Sequence, residues 1–135
     1  MFSHEKLIAY QKAIKFVAWT QPLIEALPSK LAARDQLDRS STSVPLNIAE
    51  GNGKFSPADR ARFFQVAHGS AVESAACLDV LVARKFIPAE AAAEGKAQLE
   101  EVVNLLHGLL NRLGCRVSEV ASEYLTGTEP PVEED

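Results

Sequence analysis

The feature that most constrains this chain is the spacing of its apolar residues. Between positions 5 and 113 they recur mainly at intervals of three, four or seven, and nothing there reads as a strand. That period specifies helix and excludes half-buried strands, which need a period of two. Four such stretches are separated by short punctuation at Leu27-Pro28-Ser29, Gly51-Asn52-Gly53 and Lys85-Phe86-Ile87-Pro88. The expected helices are about 5–27, 30–51, 57–85 and 89–113, with a short fifth helix at about 116–125. Short connections make successive helices antiparallel neighbours, so the expected fold class is all-α, an antiparallel up-down-up-down four-helix bundle. At 135 residues and 47% hydrophobic, the chain holds one such core, assigned to a single domain over 1–127.

The first helix carries two apolar stripes. Leu7, Tyr10, Ile14, Val17, Ile24 and Leu27 lie on one face, and Ile8, Phe16, Trp19 and Leu23 on another. Read as one stripe for the core and one left over, the pattern makes Ile8, Phe16, Trp19 and Leu23 candidates for an oligomer interface. The second helix expects a core stripe of Leu37, Ser41, Val44 and Ile48. Pro45 inside it should bend it, with the preceding serines bonding backward to freed carbonyls. Gly51-Asn52-Gly53 is expected to stop it.

Ser56-Pro57-Ala58-Asp59 opens the third helix with an N-cap serine, a proline at the first helical position and an acid at the third. Its middle, Ala67 to Ala76, is rich in small residues, which suggests that another backbone approaches closely there. The fourth helix carries Leu99, Val102, Val103, Leu106, Leu109, Leu110 and Leu113 on a coiled-coil-like seam, with Gly114 as its cap.

The net charge of −4 resides in the last seven residues, where Glu129, Glu133, Glu134 and Asp135 lie. Removing these four leaves 14 basic and 14 acidic residues. The segment 128–135, with two prolines and little to bury, reads as a disordered acidic tail. Cys77 and Cys115 form no CxxC, and Met1 to Lys6 lack the basic-then-apolar pattern of a secretory leader, so none is expected. That pattern fits free thiols and a cytoplasmic location. No unbroken apolar run approaches the ~18 residues of a membrane span, so no membrane association is expected.

One block is specific enough to carry a resemblance. Ser43-Val44-Pro45-Leu46-Asn47-Ile48-Ala49-Glu50-Gly51, followed by Phe63-Phe64-Gln65-Val66-Ala67-His68-Gly69-Ser70-Ala71-Val72-Glu73, resembles the signature of the small bacterial four-helix proteins called 23S ribosomal RNA intervening-sequence proteins. Leu7 to Ala13 resembles that family's first helix, and Gln36-Leu37-Asp38-Arg39-Ser40 the segment before its proline. The likeness covers roughly 4–113. It implies a protomer that assembles into a homopentamer and no established enzymatic activity. A related branch, the accessory proteins of diversity-generating retroelements, forms a basic pentamer that binds nucleic acid and a reverse transcriptase. Asp38 stands here where the family commonly has a basic residue, which counts against inherited nucleic-acid binding.

The resemblance marks Arg39, Ser43, Pro45, Asn47, Glu50, Gly51, Gly69, Ser70 and Glu73 as motif residues, read as structural or intersubunit. Glu50 sits near a helix C-terminus, where the macrodipole disfavours an anion, so it needs a partner. Arg39 lies roughly 16 Å away along the axis, which leaves Lys54, Arg62 or another subunit. His68 is about 160° around the helix from Ser70, so the two do not form a nucleophile–base pair. No histidine follows a glutamate by three, and HExxH is missing. No catalytic residue, metal site or cofactor is assigned.

Lys6, Lys12 and Lys15 form one small basic patch, and Lys54, Arg60 and Arg62 another. Repeated around a ring, they would meet phosphate backbone. Residues 86–128 hold six acids against three bases, so the opposing surface would be acidic. The expectation is therefore a non-enzymatic homo-oligomer that works as an assembly or protein-interaction module. Nucleic-acid binding through the two basic patches is the alternative.

Overall fold

A computed structural model of the chain describes residues 1–115, which are all-α and contain no strand. The expected helix at 116–125 and acidic tail at 128–135 lie outside the described residues. A 3-10 turn, Ser3–Lys6, leads into α1 (Ile8–Glu25), α2 (Ala32–Asn52), α3 (Pro57–Ala83) and α4 (Ala89–Arg112). The first helix begins later than the spacing suggested because Leu7 is extended, with φ −77° and ψ 126°. At α3 the start is as expected: the Ser56 side chain accepts from the Asp59 amide at 3.1 Å, with Pro57 at the first position.

α2 packs on α3 and on α1, and α4 packs on α3 and on α1, so the four helices close around one core. Ser40 meets Ser74, and Ser43 meets Ser70, so ascending positions of α2 face descending positions of α3. The same holds for α3 and α4, where Asp79 meets Lys96 and His68 meets His107. The fully buried side chains include Phe16, Phe64, Leu37, Ile48, Leu78, Leu81, Leu106 and Leu110. The α2 stripe of Leu37, Ser41, Val44 and Ile48 is buried as expected.

The first helix corrects its sequence reading. Its buried face is Ala9, Ala13, Phe16, Thr20 and Ile24. At about 100° per residue, these small residues and Phe16 lie between the two apolar stripes, which are the shoulders of one broad inward face. Phe16 is 1% exposed, in the core of its own bundle. Trp19 and Leu23 are partly buried against that core. The Trp19 ring stacks on Phe16 at 5.7 Å, and its Nε1–H donates to Glu94 at 3.1 Å. Ile8 alone of the four interface candidates is largely exposed, while Ile14, expected inside, also points out. Counting only large apolar residues hid the seam of alanine and threonine that packs closest.

Two glycines make that close packing feasible. A methyl at Gly95 of α4 would lie 2.6 Å from the Trp19 ring, and one at Gly51 would lie 2.8 Å from Phe64. α2 ends at Asn52 with Gly53 as its C-cap, so the Gly51-Asn52-Gly53 block stops it as expected, while Gly51 itself lets α2 and α3 touch. Gly69 is the converse. Among the described residues it has no neighbour within 4 Å of a would-be methyl, so the close approach of α2 to this stretch runs through Ser70 and Ser74 and not through Gly69.

Candidate functional site

The motif residues divide into an inner and an outer group on α2 and α3. Within the inner group, Ser70 Oγ donates to Ser43 Oγ at 2.8 Å, and Asn47 Nδ2 donates to the Ser43 hydroxyl and carbonyl oxygens, both at 2.9 Å. One turn deeper, the Ser40 and Ser74 hydroxyls share a fully buried hydrogen bond of 2.7 Å. Ser40 also donates to the Leu37 carbonyl, and Ser41 and Thr42 donate to that of Asp38. Pro45 is buried in an unbroken α2. These hydroxyls tie two helices together through polar groups that burial would otherwise penalise.

The outer group faces solvent. Arg39 pairs with Asp35 at 3.5 Å, one turn earlier on α2, and Glu50 pairs with Lys54, just past the end of α2, at 3.7 Å. Lys54 is thus the Glu50 partner among the three candidates raised by the sequence. Gly69 and Glu73 are exposed on α3. Beside them lie residues that sequence reasoning missed: Leu46 on α2, 61% exposed, and Val66, Val72 and Val80 on α3, of which Val72 is 52% exposed. Their signal was present, since Val66, Glu73 and Val80 recur at seven, as do Gly69, Ala76 and Ala83. Small residues at that period read as a buried seam, whereas here they form an outward face.

α3 is consequently unusual. An 18-residue window within Pro57–Ala83 has mean hydropathy 1.3, enough by length and composition for a membrane span, yet 33% of it is buried. The expectation from unbroken runs overlooked it because His68, Ser70, Glu73, Ser74 and Asp79 interrupt every run while leaving the average apolar.

The basic candidates are mostly engaged. Arg60 donates to the carbonyls of Asn52 at 2.9 Å and Lys54 at 3.2 Å, closing the C-terminal end of α2. Lys12 pairs with Glu101 at 3.3 Å, and Arg62 with Asp59 at 3.6 Å. Lys54 and Arg62 also lie over the Phe63 ring at 5.0 and 4.9 Å. Lys6 and Lys15 make no salt bridge among the described residues. Next to this patch, Phe55 stands free at the tip between α2 and α3.

His68 stacks on His107 at 5.1 Å and so turns away from Ser70. Burial, then the nearby His107 charge, hold the His68 pKa below its ordinary value. Burial, then Glu73, push the Cys77 thiol up from its ordinary value. Among the described residues no three His, Cys, Asp or Glu side chains converge as metal ligands.

The α2–α3 motif and the four-helix fold coincide with a known sequence family, whose pattern matches residues 5–108. The chain belongs to the 23S rRNA-intervening sequence protein family. A crystal structure of a protein of unknown function from the S23 ribosomal protein family of Bacteroides thetaiotaomicron has the same fold. It superposes with a TM-score of 0.72 at 24% identity, covering 76% of this chain and 98% of that one. No curated protein matches the sequence. The family match ends inside α4, so Leu109 to Asp135 lie beyond the matched family region.

Proposed function

We propose that this family member is an up-down-up-down bundle of a bacterial cytoplasm that assembles into a homo-oligomeric ring. The ring is a pentamer by the family resemblance and serves as a non-enzymatic assembly or protein-interaction module. The observation that carries this reading is α3, a helix apolar enough to span a membrane but only one-third buried in its own protomer. Its outward residues Val66, Gly69 and Val80, with Leu46 of α2, are small or apolar and follow a heptad period, the pattern that packs against another helix. Burying that face in a second copy removes the liability without a bilayer. Light scattering of the purified protein tests this: a pentamer mass is expected, with a smaller species for Val80→Glu. A monomer mass for the unaltered protein overturns it.

One observation favours the alternative, nucleic-acid binding. Phe55 is fully exposed next to Lys54 in the chain, and Lys54 and Arg62 lie over the ring of Phe63, so this region carries aromatic rings and cations together. Labelled RNA or DNA at low and moderate salt decides it. Binding that weakens steeply with salt supports this reading, and no binding at low salt rejects it.

A further inference from the structure

His68 of α3 and His107 of α4 meet across the seam between the two helices. Both are half-buried, with ring centroids 5.1 Å apart and planes 28° from parallel. Neither residue serves the α2–α3 motif or the basic patches. The Glu-x-x-His and HExxH patterns run along a single helix, so they pass over a pair divided between two.

The surroundings of the pair are neutral and open. No carboxylate lies within salt-bridge distance of either ring among the described residues. Neither ring has a side-chain hydrogen-bonding partner there. No position three or four residues from either histidine on its own helix is charged, and the polar ones, Gln65, Asn104 and Asn111, are amides. A glycine follows each histidine, Gly69 and Gly108, so no side chain at those positions shields the pair.

Two unpartnered imidazoles side by side, without a carboxylate, form a donor set of borderline softness. Imidazole suits zinc, copper and nickel, whereas magnesium and calcium require oxygen ligands. Zinc holds imidazole nitrogens at about 2.0–2.1 Å in tetrahedral geometry, which sets two bound rings about 5 Å apart, centroid to centroid. The observed separation matches. χ2 of histidine is a broad torsion, so each ring can turn one nitrogen to the shared point without moving its helix.

We propose that His68 and His107 form a two-histidine clamp for zinc or a like divalent late transition ion, with water completing the coordination. The clamp closes within one chain and rests neither on ring assembly nor on nucleic-acid binding. It fastens the last turns of α4 to the first half of α3.

Isothermal titration calorimetry of the unaltered protein with zinc chloride tests it. One ion per chain should bind at micromolar concentration, and magnesium chloride should give no binding. His68→Gln and His107→Gln should each weaken zinc by about tenfold or more. Zinc should raise the melting temperature of the unaltered protein and of neither variant. His4, whose ring packs on Phe2 and Tyr10, supplies the control: His4→Gln should leave the affinity unchanged. Binding no tighter than millimolar overturns the proposal, as does binding that survives substitution at 68 or 107 or is lost with His4→Gln. A rise in oligomer mass on adding zinc also overturns it, because the ion would then lie between copies.

Discussion

In α1 the face toward the core is made of Ala9, Ala13, Phe16, Thr20 and Ile24, and large apolar residues sit on its shoulders. In α3 a similar mixture of small and apolar residues, Val66, Gly69, Val72, Ala76 and Val80, faces away from the core. The two helices have comparable raw material and opposite outcomes. α1 has neighbours on both shoulders, α2 and α4, and its small residues let them come close. α3 spends its alanines at 67 and 71 and its serines at 70 and 74 on α2 and the core, which leaves a second apolar strip with no partner among the described residues. A stripe of small residues therefore marks close packing only where a second element is already in reach.

The largest expected effect breaks or upholds the inward assignment of α1. Phe16→Ala should cost about 3–5 kcal/mol of protomer stability by opening a core cavity. Chemical denaturation reads it. If the change instead dissociated the oligomer and left the denaturation midpoint alone, α1 would be an interface helix after all.

The next effect concerns the contact glycines. Gly95→Ala puts a methyl 2.6 Å from Trp19. It should cost about 1–3 kcal/mol by overpacking. The single tryptophan should report the displacement as a changed emission maximum. Gly69→Ala, with open space around it in the protomer, should do the reverse and stabilise α3 by about 0.5–1 kcal/mol. A loss of stability at Gly69→Ala would place a neighbouring copy's backbone against that position and so sharpen the contrast between the helices.

Of comparable size is the polar tie between α2 and α3. Ser40→Ala leaves the fully buried Ser74 hydroxyl without its partner and should cost about 1–3 kcal/mol. Adding Ser74→Ala should cost less than the sum of the two single changes. Strict additivity of the melting data would remove the hydrogen bond from the account.

The smallest effect is in pH. His68 has its folded pKa depressed, by burial first and by His107 second. The unfolded chain then binds more protons, so the neutral form's contribution is complete above the ordinary value near 6.5. It is lost as pH falls from there toward the folded pKa. Melting temperature measured over that range should decline, and His107→Gln should flatten the decline. An unchanged slope would remove His107 from the cause.

The four helices were legible because periodicity survives in any tertiary context: the starts of α2, α3 and α4 fell within two residues of expectation. The α2 core stripe was legible too, since one helix face there is apolar and the other is charged. Less legible was the direction of α1, where the nearest-packed residues are alanines that hydrophobicity scales rank low. The site was legible as a motif but not as a geometry. Ser43, Asn47 and Ser70 could be named, yet that their hydroxyl and amide groups meet at 2.8 and 2.9 Å depends on the register of α2 against α3. Arg60 shows the same limit. It reads as a surface cation until the structure spends it on the Asn52 and Lys54 carbonyls.

By itself, the sequence determined an all-α chain of four helices, its family, and the acidic excess of its last residues. Those properties follow from local spacing and composition, which each segment carries wherever it packs. Only the tertiary structure decided that α1 is covered on both shoulders and that α3 is left apolar and open. Which side of a helix is inside is set by how many neighbours reach it, and no single helix encodes that number.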